Sequence, residues 1–130
     1  MNKIERFCVR MRHHPLIENS PAWNLIRPGY NLFMECLAGR SGLERNLNGT
    51  DPIRVAPCWR GLPEWYEPAV WRRFMAQVRQ GDTVADVGAF LGVYAIAAAK
   101  RVGPRGSVVA LEPDPANFKW LRRHVALNHV

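Results

Sequence analysis

The chain has 130 residues, 48% of them hydrophobic and 22% charged, with a formal net charge of +7. That length gives one ordinary domain and is short for two, and the composition excludes a disordered or low-complexity chain. No apolar run approaches the ~20 residues that span a bilayer, and no apolar stretch follows the first basic residues as a secretory signal would require, so the expected location is cytoplasmic.

The charge excess is spread out. Residues 1–80 hold twelve Lys/Arg against seven Asp/Glu, and residues 81–130 hold six against four. Its densest part is Lys3, Arg6, Arg10 and Arg12 beside His13 and His14. Such a cluster can meet nucleic acid or an anionic membrane surface. The plainer reading is a solvated basic segment, and a nucleic-acid partner is not expected. Cys8, Cys36 and Cys58 are odd in number and form no CxxC pair. They read as buried or incidental thiols in a reducing compartment, not as a metal site.

In chain order, residues 1–30 read as irregular, with Pro15, Pro21, Pro28 and Gly29 as breakers. A short helix is expected over 31–37. Leu43 to Leu47 and Ile53 to Val55 flank Asn48-Gly49-Thr50-Asp51, a hairpin signal because Asn and Gly tolerate positive φ. Pro68 suits a helix start, with Val70, Phe74, Met75 and Val78 at helical spacing and Gly81 as the stop. A strand is expected over 83–87, a small-residue helix over 91–102, a turn at Gly103-Pro104-Arg105-Gly106 and a second strand over 107–111. Asp114 can cap a last helix with Pro115 at its first position and Phe118, Leu121 and Val125 as its apolar stripe. The order implies an α/β chain ending in a right-handed β-α-β unit with a trailing helix.

That unit carries the chemistry. Val84-Ala85-Asp86-Val87-Gly88-Ala89-Phe90-Leu91-Gly92 is an apolar strand ending in an acid, followed by a glycine-spaced turn into a helix. Gly88 and Gly92 bracket a turn where a backbone approaches a ligand, and the helix N-terminus supplies free N–H groups. Asp86 can face an ammonium group. Glu112, at the end of the second strand, can accept hydrogen bonds from the two hydroxyls of a ribose, and Pro113 can offer an apolar surface to a purine. A dinucleotide fingerprint needs G-x-G-x-x-G; here position 90 is Phe, and Asp86 would repel phosphates. S-adenosylmethionine carries an ammonium, a sulfonium and a ribose but no phosphate, and suits the two acids better.

The same residues resemble a known family. Val84-Ala85-Asp86-Val87-Gly88-Ala89, Gly92-Val93-Tyr94, Gly103 and Gly106, Val109-Ala110-Leu111-Glu112-Pro113-Asp114-Pro115 with Asn117, and Leu121 with Val125-Ala126-Leu127-Asn128 look like the opening half of the FkbM-type S-adenosylmethionine-dependent methyltransferases. Tyr66-Glu67 and Gly81-Asp82 fit it too. The resemblance implies a Rossmann-like class I methyltransferase fold, incomplete, with only the first two parallel strands and their flanking helices. It starts at residues 64–130, after an extension over 1–63 with the short helix and hairpin. It implies transfer of a methyl group to oxygen, on a small-molecule or glycan- or lipid-type hydroxyl acceptor. It places Asp86, Gly88, Ala89 and Gly92 in the cofactor loop and Glu112, with Pro113 beside it, at the ribose. Phe90 departs from the family, which often carries Asn there.

No residue presents itself as a catalytic base, and His124 and His129 have no metal-ligand spacing. Trp59, Trp65 and Trp71 with Tyr66 read as packing of the N-terminal layer rather than a substrate mouth. Lys100-Arg101 and Arg122-Arg123 read as solvated helix faces, and Tyr66-Glu67 as either a cofactor cover or a helix cap. Three other readings stay open: a truncated, non-catalytic remnant or a fragment that works with a missing C-terminal part, a nicotinamide-dependent oxidoreductase fragment, and a basic nucleic-acid-binding module.

Overall fold

The computed structural model describes residues 20–130. The basic cluster of Lys3 to Arg12, with His13, His14 and Cys8, lies outside them. Helix α1 (Pro21–Ala38) is followed by strands β1 (Leu43–Leu47) and β2 (Asp51–Val55), helix α2 (Pro68–Met75), strand β3 (Thr83–Val87), helix α3 (Val93–Val102), strand β4 (Ser107–Leu111) and helix α4 (Pro115–Asn128).

Strands β1 and β2 form an antiparallel hairpin with Leu47 opposite Asp51. Asn48 and Gly49 in its three-residue turn have φ of 51° and 74°, the left-handed region these two residue types enter most cheaply. Strands β3 and β4 pair in parallel, from Thr83 opposite Ser107 to Val87 opposite Leu111. The chain is thus an α/β fold with a hairpin, helices and two parallel strands, the arrangement of an incomplete Rossmann-like fold.

Helix α3 holds the two sheets together. It packs on β3 and β4 with one side and on β2 with the other. Ala95, Ile96, Ala97 and Ala98 are all buried; small side chains let backbone layers approach closely on both sides. Around it the core gathers Leu47, Ile53, Val55, Trp71 and Leu91. Helix α4 packs on β2 and α3, and the Asp114 side chain accepts the Asn117 N–H at 2.8 Å, the expected cap.

Polar staples reinforce these contacts. Asp51 accepts hydrogen bonds from the Trp71 indole at 2.8 Å and from Arg101 at 2.9 Å. Lys100 donates to the Pro52 carbonyl and to Asn128 Oδ1. Asn128 closes on β2 by accepting the Arg54 N–H and donating to the Arg54 carbonyl. Arg123 pairs with Glu35 of α1 at 2.7 Å. The expectation of solvated faces is therefore corrected for Lys100, Arg101 and Arg123: each reaches across to another element, which spacing along one helix does not reveal.

Two expectations shift in the helices. Residues 21–30 are helical, not irregular, and Pro28 lies inside α1. The ring removes one helical hydrogen bond, but Trp23 and Tyr30, seven positions apart, meet edge-on at 5.3 Å across it. Helix α2 stops at Met75 rather than running on to Val78. Cys36 and Cys58 are free and exposed, so these two thiols are not buried. The outer face of the parallel pair is bare: Val87, Val109 and Leu111 are 78%, 51% and 53% exposed.

Burial by itself would raise the Asp51 carboxyl above its ordinary 3.8, but the bonds from Thr50, Trp71 and Arg101 outweigh it and hold it below. A carboxyl lowered on folding contributes stability that is complete above the unfolded value and is lost as pH falls through the folded one. Asp51→Ala, which strands the Trp71 and Arg101 donors, is expected to cost roughly 2–4 kcal/mol in urea denaturation at pH 7, and the difference from wild type should shrink below pH 4. A variant with wild-type stability at pH 7 would show that the staple carries nothing.

Candidate functional site

Because β3 and β4 are parallel, their carboxyl ends lie side by side. The loop leaving β3 is fixed at once: Gly88 and Ala89 both donate to the Leu111 carbonyl, at 2.8 and 3.0 Å. Gly88, Phe90 and Gly92 have φ of 82°, 50° and 78°, so the loop passes through the left-handed region three times before α3 begins. The Phe90 N–H then points at Glu112 and donates to Oε2 at 2.8 Å, while the Asp114 N–H donates to Oε1 at 3.0 Å. Glu112 is thus clasped across the strand ends. Each of its oxygens retains a lone pair for a further donor.

The two glycines differ. A Cβ on Gly88 would meet nothing within 4 Å, whereas one on Gly92 would stand 3.2 Å from Leu121 Cγ. Gly88 leaves open the side a ligand would enter. Gly92 has a different reason, its close approach to α4. Ala89 is buried under the loop at 6% exposure, and Pro113 is exposed next to Glu112.

Asp86 is half-buried. Its carboxyl is pushed above the ordinary value by burial, against the lowering effect of a hydrogen bond from the Ala95 backbone. Its Oδ2 is buried with no partner, and a buried acceptor in that state is suited to a donor from outside the chain. Asp86, Gly88, Ala89, Gly92, Glu112 and Pro113 are therefore all brought to the carboxyl end of one strand pair.

The structure brings Tyr94 to residues the sequence had weighed separately. Tyr94 donates to Glu67 Oε2 at 2.9 Å and packs against Trp71, Phe74 and Tyr66, with ring centroids 4.7, 5.6 and 6.1 Å away. Burial pushes the Tyr66 and Tyr94 hydroxyls up, and the negative charges of Glu67 and Asp86 push them further. Glu67 makes no side-chain cap; it sits at the start of α2 with φ of 42°, a strained conformation for a non-glycine residue. The result is an aromatic wall with two carboxylates next to the loop, an environment that favours a cation and disfavours phosphate. Trp71 belongs to the core as expected, but Trp65 stands 72% exposed. Phe90 takes part in the Glu112 clasp through its backbone, and its ring packs edge-on against Trp59 at 5.7 Å.

A groove of about 520 Å³ lies toward the other end of β4, lined mainly by apolar residues such as Val102, Val108 and Val125, with Lys100, Ser107 and His129 at its wall. Among the described residues, no group of three His, Cys, Asp or Glu is placed to hold a metal ion, and no helix is long and apolar enough to cross a membrane.

Residues 69–130 match the TRM5/TYW2 methyltransferase domain. The chain is also similar to a tRNA (guanine(37)-N(1))-methyltransferase of Danio rerio, 40% identical over 103 residues, which is 77% of this chain and 20% of that protein. The chain thus spans about a fifth of the length of this curated relative. These matches liken the second half to a methyltransferase domain and correct two expectations. The likeness is to TRM5/TYW2, not to the FkbM type. The hydroxyl acceptor and the exclusion of nucleic acid are overturned by a relative whose named substrate is a tRNA and whose named methylation site is a guanine nitrogen.

Gly88→Ala should cost only the left-handed backbone penalty, about 1 kcal/mol, and Gly92→Ala should add the overlap with Leu121 for a total of roughly 2–4 kcal/mol. Thermal unfolding of the two variants side by side checks this. Equal losses would contradict the separate roles.

Proposed function

We propose that residues 64–130 are the S-adenosylmethionine-binding half of a methyltransferase that modifies guanine N1 in tRNA. The observation that carries the reading is the Glu112 clasp: a carboxylate tied to the loop backbone at the carboxyl ends of two parallel strands, next to a half-buried Asp86 with a bare oxygen. Glu112 would hold the ribose hydroxyls and Pro113 would lie against the purine. Gly88 and Ala89 would let the loop backbone close on the ligand. Asp86, with Glu67 and the aromatic wall, would face its cationic end. Bound there, S-adenosylmethionine supplies an electrophilic methyl group on a sulfonium.

The chain's own residues bind and orient; positioning is the main requirement for in-line transfer to a nitrogen. The relative's substrate supports tRNA as the acceptor, and the net charge of +7 supports attraction to phosphates.

Isothermal titration with S-adenosylhomocysteine tests the cofactor reading. Wild type should bind, and Glu112→Ala should weaken binding roughly 10–100-fold through loss of charge-assisted hydrogen bonds. No binding by folded protein, or tighter binding of NAD, would overturn it. For the acceptor, affinity for a tRNA transcript should fall linearly with log salt concentration; absent or salt-independent binding removes RNA from the proposal.

A further inference from the structure

Four aromatic side chains form a path that leaves the loop and returns to it. Phe90 meets Trp59 edge-on at 5.7 Å, and Trp59 meets Trp120 edge-on at 6.3 Å. Trp120 stacks on His124 at 6.3 Å with ring planes 28° apart. His124 Nδ1 then lies 2.9 Å from the carbonyl oxygen of Leu91, the residue next to Phe90.

His124 is completely buried, at 0% exposure. A carbonyl only accepts, so Nδ1 carries the hydrogen and Nε2 is the bare nitrogen. Nε2 is buried with no partner. Packing alone does not explain an imidazole here, since a hydrocarbon of similar size would leave no orphaned acceptor. What the imidazole adds is a donor aimed at Leu91. The charged group beside it on α4 is Arg123, which lies over the Trp120 ring at 5.5 Å and is paired with Glu35 of α1. Burial, and to a smaller extent the Arg123 charge, hold the imidazole below its ordinary 6.5 against the opposing effect of the Leu91 bond, so it is neutral at pH 7.

We propose that His124 is a positioning residue for the cofactor loop: its bond to the Leu91 carbonyl, with Trp120 and Trp59 bracing Phe90, holds Phe90 in its left-handed conformation and its N–H on Glu112. The inference rests on the reading of this loop as the cofactor loop. It places a determinant of cofactor affinity on α4, more than thirty residues from the loop in sequence.

His124→Leu and His124→Asn separate this role from packing, because the Asn amide donates from nearly the position of Nδ1. In the Leu variant S-adenosylhomocysteine should bind about tenfold more weakly, and the Phe90 amide should exchange with solvent at least tenfold faster in the free protein. The Asn variant should bring both back to within about threefold of wild type. Wild-type values in the Leu variant, or equal losses in both variants, would overturn the proposal. If neither variant folds, nitrogen-15 spectra of the wild-type imidazole decide, because a hydrogen on Nε2 instead of Nδ1 contradicts it. If wild type binds no S-adenosylhomocysteine, the cofactor reading fails, and the Phe90 exchange rates still test the brace by themselves.

Discussion

Helix Val93–Val102 is buried from two sides, and the rest of the structure follows from that constraint. It covers the inner face of the parallel pair and also carries the hairpin. Small residues ease both contacts, and Ala95, Ala97 and Ala98 supply them beside Val93, Ile96 and Val102. The two long cations near its end, Lys100 and Arg101, are then close enough to reach β2 and its start at Asp51. With both sides held, the helix N-terminus is fixed in place. The loop before it must cover the distance from β3 in five residues, which it does through left-handed turns at Gly88, Phe90 and Gly92.

That loop is tied down by bonds that cost it little freedom as a ligand site. Its N–H groups bind Leu111 and Glu112 on the neighbouring strand. Gly88 remains open to solvent, and Glu112 keeps lone pairs to spare. The local electrostatics are one-sided: Asp86 and Glu67 lie near two tyrosines whose hydroxyls they push up. A pyrophosphate would meet these carboxylates at a cost. A ligand with a positive end and a ribose meets no such conflict. If a ligand binds here, an acid and a loop already fixed by hydrogen bonds reduce what binding must spend on ordering.

The strands, the hairpin and the Asp114 cap were legible because their signals are local: alternation, turn residues and a capping side chain. The ends of β3 and β4 and the six candidate site residues all lie where spacing puts them. The second half of helix α1 was legible over 31–37, but its first half was not, because Pro28-Gly29 reads as a breaker, and the Trp23–Tyr30 contact that spans it needs the helix to exist first. Lys100, Arg101 and Arg123 looked solvated because their partners are distant in sequence. His124 looked idle for the same reason: its partner, Leu91, is thirty-three positions away. The family likeness went astray for a related cause. The residues that suggested the FkbM type are those of the loop, the strand-end acid and the last helix, and the TRM5/TYW2 match spans the same positions.

The central claim is that one ligand engages both strand ends, through the loop after β3 and the acid after β4. Amide chemical-shift mapping of the labelled chain with S-adenosylhomocysteine tests it most directly. The largest shifts should fall together on residues 86–92 and 112–114, with the Phe90 and Asp114 amides among them because they already bond Glu112. Shifts centred elsewhere, such as on the apolar groove by Val102 and Val108, or none at saturating ligand, would contradict it.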